Sequence, residues 1–128
     1  MTDDMGIFRI DIELENHARP GERRRLSGVL VDTGSELSWA PASVLEELGV
    51  ERRKVARFQQ ADGSVLVRDI GFVVIYAAGM DTVDEIVFGE PNDLVLLGAR
   101  TLEGMNVRLD IVAKKLMPAG PILAAAAA

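Results

Sequence analysis

Apolar and polar residues alternate along much of this chain, and this period of two limits the fold more than any other feature of the sequence. Every second residue of the segment 8–14 is apolar, which is typical of a strand with one face buried and the other exposed. The polar stretch 15–25, which contains a Pro-Gly pair, predicts a hairpin loop, and residues 26–31 return as a second strand. Further strands are predicted at residues 55–60, 64–75, 82–88, 94–97 and 107–112.

Two short segments change to the period of a helix. Residues 41–49 begin with a proline, place their apolar residues at helical spacing, and end with a glycine that is suited to cap a helix. Residues 101–105 predict a second short helix after Gly98. Together the elements predict a mainly β fold, a closed β-barrel with one or two short helices, and no internal linker or tandem repeat.

Size, charge and cysteine content exclude several classes of protein. The 128 residues suit one domain, predicted at 1–118, followed by a Pro/Ala-rich tail at 119–128. The formal net charge of −6 gives no reason to expect a nucleic-acid partner, because phosphate binding needs a positive field. Two short basic clusters, 23–25 and 52–54, are flanked by acids and are predicted to lie on the surface. The absence of cysteine excludes disulfides and thiolate metal sites.

The sequence shows no pattern of export or membrane insertion. Its start lacks a basic segment followed by an apolar run, and no apolar stretch approaches the roughly 20 residues of a membrane span. We therefore expect a cytoplasmic protein without a membrane partner.

Asp32 stands directly after three aliphatic residues, in the segment Val-Leu-Val-Asp-Thr-Gly-Ser at 29–35. An ionisable carboxylate at the mouth of a buried strand is desolvated and needs partners. Gly34 permits a close approach that a side chain would prevent, and the hydroxyls of Thr33 and Ser35 can orient a carboxylate. Asp-Thr-Gly is also a common turn sequence, so these residues alone leave a plain turn and a catalytic turn both open.

A second motif favours the catalytic interpretation. The segment 94–98, Leu-Val-Leu-Leu-Gly, ends 66 positions after the aspartate (98 minus 32) and precedes the predicted helix 101–105. The chain thus has, in order, a strand hairpin, Asp-Thr-Gly, a short helix, a hairpin with Asp-Gly at its tip, further strands and Leu-Leu-Gly. This order resembles the retropepsin-like aspartic peptidases over roughly residues 6–118. It is most similar to small bacterial and archaeal single-domain members of that clan, in which Val-Asp-Thr-Gly leads through a tryptophan, here Trp39, to Leu-Glu-Glu-Leu-Gly, here 45–49.

The resemblance implies a role for each residue of the two motifs. Asp32 would be the catalytic carboxylate, the Thr33 hydroxyl would form a hydrogen bond across a dimer, and Gly34 would face the substrate backbone. Ser35 is similar to the serine that supports the catalytic aspartate in the larger, two-lobed pepsin-like enzymes, whereas the viral relatives usually carry alanine there. Gly98 would support the site from the second motif.

The resemblance also implies a flap that closes over the substrate. Its tip would be Ala61, Asp62 and Gly63, which is less glycine-rich than in the viral enzymes. The viral pattern has an arginine directly after the glycine of the second motif. Here the arginine comes one position later, as Arg100, and its pairing with Glu36 is an open question.

The mechanism of this family determines the expected oligomeric state. It needs two aspartates that share one proton, one to activate water and the other to donate to the substrate carbonyl. The chain holds one Asp-Thr-Gly, so the second Asp32 would come from another copy across a two-fold axis. The prediction is a homodimeric aspartic endopeptidase without metal or cofactor, acting on an extended peptide or protein and working best in mild acid.

Two alternatives stay open. A dimer of the same fold could grip an extended peptide or partner protein with weak or no hydrolysis, since fold does not determine function. An unrelated β-barrel with an accidental turn motif would leave Asp32 exposed and unpaired. On any of these hypotheses, Trp39 is expected in the core or in the wall of a pocket.

Overall fold

The computed structural model of the chain describes residues 8–124. The start of the predicted domain, residues 1–7, and the end of the predicted tail, residues 125–128, lie outside the described residues. Nine strands and two helices lie within the described part. In chain order they are β1 (Phe8–Glu15), β2 (Arg23–Val31), β3 (Ser38–Pro41), α1 (Ala42–Glu47), β4 (Lys54–Gln59), β5 (Val65–Ala77), β6 (Met80–Gly89), β7 (Leu96–Leu97), α2 (Ala99–Gly104), β8 (Val107–Asp110) and β9 (Lys115–Pro118).

Seven of these strands form one sheet in the order β1-β2-β7-β3-β6-β5-β4. The strand β1 also pairs with β5, with Leu14 opposite Ile75, so the strand pairings run from β1 through β2, β7, β3, β6 and β5 and return to β1. The strands β8 and β9 form a second, two-stranded sheet. The prediction of a mainly β fold with two short helices is confirmed.

The alternation along β1 has the expected physical result. Phe8, Ile12 and Leu14 are buried, whereas Arg9 and Asp11 between them are exposed. One hydrophobic core gathers apolar residues from β1, β2, β5, β6, β7 and both helices. Burial of this apolar surface is the main favourable contribution to the folding of the sheet.

Both predicted helices are present. The helix α1 follows Pro41, buries Val44 and Leu45, and ends before Gly49, whose φ of +75° is a left-handed conformation that favours glycine. The helix α2 begins directly after Gly98, two residues earlier than predicted. Neither helix within residues 8–124 is long and apolar enough to cross a bilayer.

Both basic clusters lie on the surface, as predicted. Arg23 and Arg25 form ion pairs with Glu13 and Asp11 of the neighbouring strand β1. The strand β2 therefore begins at Arg23, and the first hairpin loop is shorter than the predicted 15–25. Each exposed pair of this kind stabilises the fold by at most about 1 kcal/mol.

Two strands, β3 and β9, have no counterpart in the sequence prediction. Each is four residues long, and a segment that short shows no clear period. The strand β3 exists because it is paired on both sides, with β6 and with β7. The last predicted strand ends early, at Asp110, because the Asp110 carboxylate accepts the amide N–H of Ala113 and the chain turns back into β9. The predicted strand 94–97 is reduced to its last two residues.

Candidate functional site

The strands β2 and β7 bring the two sequence motifs together. They run parallel and side by side, with Leu30 opposite Leu96 and Val31 opposite Leu97, so both strands end at the same edge of the sheet. The amide N–H of Asp32 donates to the carbonyl oxygen of Leu97 at 2.9 Å. We refer to the connection at Gly98, between the end of β7 and the start of α2, as the Gly98 turn. The Asp-Thr-Gly turn and the Gly98 turn are therefore hydrogen-bonded neighbours.

The turn around Asp32 holds its carboxylate in place. Asp32 Oδ1 accepts the amide N–H of Gly34 at 2.9 Å, and the amide N–H of Ser35 donates to the Asp32 carbonyl oxygen at 3.2 Å. Asp32 is half-buried, whereas Thr33 and Gly34 are exposed. A Cβ atom at Gly34 would come within 3.2 Å of Asp32 Oδ1, so glycine at this position leaves room for the carboxylate.

The two hydroxyls of the turn have different environments. The Thr33 side chain is exposed and forms no hydrogen bond with the part of the chain that the structure describes, so it is available to a partner. The Ser35 hydroxyl donates to the carbonyl oxygen of Leu37 at 2.8 Å. Ser35 therefore stabilises the loop after Asp32 and does not contact the carboxylate directly within this chain.

Gly98 packs directly against the loop that follows Asp32. The carbonyl oxygens of Ser35 and Glu36 accept the amide N–H groups of Ala99 at 2.8 Å and Arg100 at 3.1 Å. A Cβ atom at Gly98 would lie 2.5 Å from the carbonyl oxygen of Leu37 and 2.8 Å from that of Ser35. Glycine is required at this position because main chain from the first motif occupies the space of a side chain.

A cleft of about 500 Å³ opens beside Asp32. One wall is apolar, and in it the rings of Trp39 and Phe58 lie 5.0 Å apart between centroids. Trp39 thus lies in a pocket wall, one of its two expected places. The lining residues come from the Asp32 turn, the β4–β5 hairpin and the segment before β7: Asp32, Gly34, Ser35, Glu36, Leu37, Trp39, Phe58, Gln59, Gln60, Leu66, Asn92, Asp93, Leu94 and Leu96.

The predicted flap residues form the tip of the β4–β5 hairpin. Asp62 accepts hydrogen bonds from both the amide and the hydroxyl of Ser64, and Gly63 has a φ of +89°. Ala61, Asp62 and Gly63 are exposed and do not line the cleft of the single chain. The hairpin reaches the cleft through the residues on either side of its tip: Phe58, Gln59, Gln60 and Leu66.

Arg100 does not contact Glu36 through its side chain. Its guanidinium lies 3.2 Å from Glu85 Oε1, and the other Glu85 oxygen pairs with Lys54 at the start of β4. Glu36 stays exposed at the edge of the cleft. The open question of an Arg100–Glu36 pair is thus answered in favour of Glu85.

An ion pair that the sequence did not indicate ties the hairpin to the other side of the cleft. Arg68 of β5 contacts Asp93, in the loop before β7, at 2.7 Å from Nε and 3.0 Å from Nη2, and both side chains are 12% exposed. The hydrogen bonds from Arg68 are the main reason that the pKa of Asp93 is lowered, and the Glu90 amide adds to the effect while burial opposes it. One residue lies in a strand and the other in a loop 25 positions later, so no local sequence pattern could reveal the pair.

The sign of this pKa shift sets a pH-dependent prediction for Asp93→Asn. Because the pKa is lower in the folded state, the stabilisation is fully present above the unfolded value of about 4 and is lost as pH falls through the folded value. We expect Asp93→Asn to lower the free energy of unfolding by about 1 to 3 kcal/mol at neutral pH. The difference from wild type should shrink as pH falls below about 4. Urea unfolding over this pH range measures both values.

Glu103→Gln is the matched control for Asp93→Asn. Glu103 is exposed and forms no ion pair or side-chain hydrogen bond with residues 8–124, so its neutralisation should have little effect at any pH. A penalty for Asp93→Asn that stays constant from neutral to acid pH would show that the charge of Asp93 is not what stabilises the hairpin.

Two buried hydroxyls behind the Gly98 turn also escaped the sequence prediction. Ser38 and Thr101 are both 0% exposed and contact each other at 2.5 Å, and Thr101 contacts Asp84 of β6. A lone serine and a lone threonine among apolar residues carry no motif. Their position is the one signal in the sequence that could have found them, because Ser38 comes four residues after Gly34 and Thr101 comes three residues after Gly98.

Comparison with protein-family models gave no match, and comparison with curated proteins gave none either. Among solved structures, the chain is similar to the solution structure of simian foamy virus (mac) protease. The two chains share 18% sequence identity with a TM-score of 0.49, and the likeness covers 74% of this chain and 91% of that chain.

Proposed function

We propose that this chain is an aspartic endopeptidase whose active site forms when two copies bring their Asp32 carboxylates together. The observation that carries the proposal is the placement of Asp32. Its carboxylate accepts the Gly34 amide and lines a cleft of about 500 Å³. The loop that follows Asp32 packs closely against Gly98.

The second carboxylate has no good source within the described part of the chain. The cleft holds two other acids, of which Asp93 is already bound by Arg68. The second, Glu36, follows Asp32 by four positions and is exposed at the cleft edge. A two-fold axis next to Asp32 would supply an identical carboxylate. The exposed Thr33 hydroxyl, which has no hydrogen-bond partner among residues 8–124, suits a hydrogen bond across such an axis.

The chemistry follows from two carboxylates that share one proton. The ionised carboxylate accepts a proton from water, whose oxygen bonds to the carbonyl carbon of the peptide, while the protonated carboxylate donates to the carbonyl oxygen. In the second step the carbon–nitrogen bond breaks. The nitrogen takes a proton from one carboxylic acid and a hydroxyl of the tetrahedral intermediate returns one to the other carboxylate, so the pair again holds one proton.

The substrate that suits this cleft is an extended peptide. Within the described sheet, β4 pairs with β5 on one side and with no strand on the other, so its free edge beside the cleft can add a peptide main chain as a further strand. The wall formed by Trp39 and Phe58 would take an apolar side chain next to the scissile bond.

Shortening Trp39 tests this assignment of the apolar wall. We expect Trp39→Ala to lower kcat/KM by about 10- to 100-fold for peptides with a bulky apolar residue at that position, because the lost contacts are made by that side chain. Peptides with alanine there should lose much less, and Trp39→Phe should keep most of the activity. Equal losses for both kinds of peptide would show that Trp39 acts only through packing.

A second candidate function is a dimeric peptide-binding module with weak or no hydrolysis. It is favoured by the Ser35 hydroxyl, which is bonded to Leu37 and not to the carboxylate, and by the hairpin tip, which stands away from the cleft. A mixed peptide library incubated at about pH 4 to 7 with wild type and with Asp32→Asn separates the two functions. Peptides that are bound but cut by neither protein would favour the binding module.

A further inference from the structure

A chain of hydrogen bonds connects the Gly98 turn to a carboxylate on β6. The amide N–H of Gly98 donates to Ser38 Oγ at 2.9 Å, Ser38 Oγ lies 2.5 Å from Thr101 Oγ1, and Thr101 Oγ1 donates to Asp84 Oδ2 at 2.8 Å. Ser38 and Thr101 are completely buried, and Asp84 is half-buried at the outer end. We refer to these four residues as the Gly98–Asp84 chain.

The hydrogens of this chain have one consistent arrangement. The amide of Gly98 can only donate, and an ionised carboxylate at Asp84 can only accept. The Thr101 hydroxyl uses its hydrogen on Asp84, so the Ser38 hydroxyl must donate to Thr101. Reversing any one of these bonds would leave two donors or two acceptors facing each other. The Asp84 carboxylate, as the final acceptor, therefore determines which group donates in each hydrogen bond between Asp84 and Gly98.

We propose that Asp84 is a positioning residue that holds the Gly98 turn, and through it the Asp32 carboxylate, by way of Thr101 and Ser38. The link from turn to carboxylate is direct. Leu97, next to Gly98, accepts the amide N–H of Asp32, and a Cβ atom at Gly98 would overlap the loop that follows Asp32. A shift of the Gly98 turn thus moves the backbone that carries Asp32. The effect on catalysis, as distinct from geometry, rests on the proposed peptidase function.

The surroundings of Asp84 strengthen the assignment. Its second oxygen accepts the amide N–H of Glu85, which fixes the carboxylate from the strand side. Glu85 in turn pairs with Arg100 of α2 and with Lys54 at the start of the hairpin strand β4. The two adjacent acids of β6 therefore hold α2 directly behind the Gly98 turn. A buried hydroxyl without a partner is costly, so removal of one member of the chain should displace the others.

Thr101→Val and Thr101→Ser test the proposal as a pair. Valine keeps the volume and removes the hydroxyl, so we expect kcat to fall by about 10- to 100-fold with KM nearly unchanged, because a displaced carboxylate impairs the chemical step and not the cleft. Serine keeps the hydroxyl and should restore kcat to within about threefold of wild type. Thr82→Val, on β6, is the matched control, since the one hydrogen bond of the Thr82 hydroxyl within residues 8–124 is a long one, of 3.5 Å, to the Val83 carbonyl.

Amide NMR spectra of the same variants decide the geometry without any assay of activity. Thr101→Val should shift the amide signals of Gly98, Asp32 and Gly34, and Thr101→Ser should return them to their wild-type positions. If wild type shows no Asp32-dependent cleavage, the proposed function fails while this readout still tests the positioning. Unchanged Asp32 and Gly34 signals in folded Thr101→Val, or a Thr101→Ser variant as impaired as the valine, would overturn the proposal.

Asp84→Ala and Asp84→Asn replace the Thr101 pair if Thr101→Val does not fold. Asp84 is the half-buried outer end of the Gly98–Asp84 chain, so its replacement leaves fewer buried groups without partners than the replacement of Thr101 does. Asparagine keeps an oxygen that can accept from Thr101, whereas alanine removes it. Shifted Asp32 signals in the alanine variant alone support the positioning role, and wild-type signals in both variants refute it.

Discussion

Asp32→Asn should abolish peptide cleavage, lowering kcat/KM by at least about 10³-fold, while the protein stays folded and continues to bind peptides. Asparagine has nearly the same shape and can still accept the Gly34 amide, but it cannot take a proton from water. Cleavage of a peptide library and peptide binding by fluorescence anisotropy measure the two properties separately. Asp81→Asn, exposed at the far end of β6, is the control and should cleave like wild type.

Mixing the two proteins tests whether the active site is shared. If each site needs one Asp32 from each copy, only dimers of two wild-type chains cleave, and an equal mixture after subunit exchange should show about a quarter of the activity of an equal total amount of protein that is all wild type. A chain that works alone would show about half. Activity in proportion to the wild-type fraction would therefore refute the shared site, and cleavage by Asp32→Asn itself would refute the aspartic mechanism.

Gly98→Ala should lower the free energy of unfolding by about 3 kcal/mol, the upper end of the usual cost of overpacking. The added Cβ atom would lie 2.5 Å from the Leu37 carbonyl oxygen and 2.8 Å from that of Ser35. Both are main-chain atoms with hydrogen bonds of their own, since the Leu37 oxygen accepts the Ser35 hydroxyl and the Ser35 oxygen accepts the Ala99 amide. The two turns must separate to admit the methyl group. This also displaces Asp32, so any Asp32-dependent cleavage should fall with stability. Urea unfolding monitored by circular dichroism gives the free energy.

Gly89→Ala is the matched control for this substitution. At the end of β6 the nearest atom to an added Cβ, the Ala40 carbonyl oxygen, is 3.1 Å away and the next is at 3.6 Å. Neither Gly89 nor Gly98 has a positive φ, so the two variants differ in the space available and not in backbone conformation. Equal stability of the two variants would show that the close packing of Gly98 against the Asp32 loop does not stabilise the fold.

The parts of the fold that follow from local spacing were predictable. Alternation correctly indicated β1 and the long hairpin strands, and the flanking proline and glycine correctly delimited α1. The predictions differed from the structure where an element owes its existence to partners far away in the chain. The strand β3 is held between β6 and β7, and β7 retains only the two residues that pair with β2 and β3.

The candidate site shows the same division. Asp32 and Gly98 could be singled out from the sequence, since each closes an apolar strand in a short motif. The hydrogen-bond partners of the supporting residues could not. Ser35 bonds to Leu37 and Arg100 pairs with Glu85, and both arrangements depend on how the loop and α2 pack together.

By itself the sequence determined that this chain is mainly β, where its two helices lie, and which two turns are candidates for a site. These properties depend on the period of apolar residues and on the backbone preferences of proline and glycine, which act over a few residues. Only the tertiary structure decided that the two turns touch, that Arg68 holds Asp93 across the cleft, and that Asp84 is linked to Gly98 through buried hydroxyls. Such contacts join residues that are 17 to 65 positions apart (97 minus 32 for the longest), and they depend on strand order and register, which no local pattern specifies.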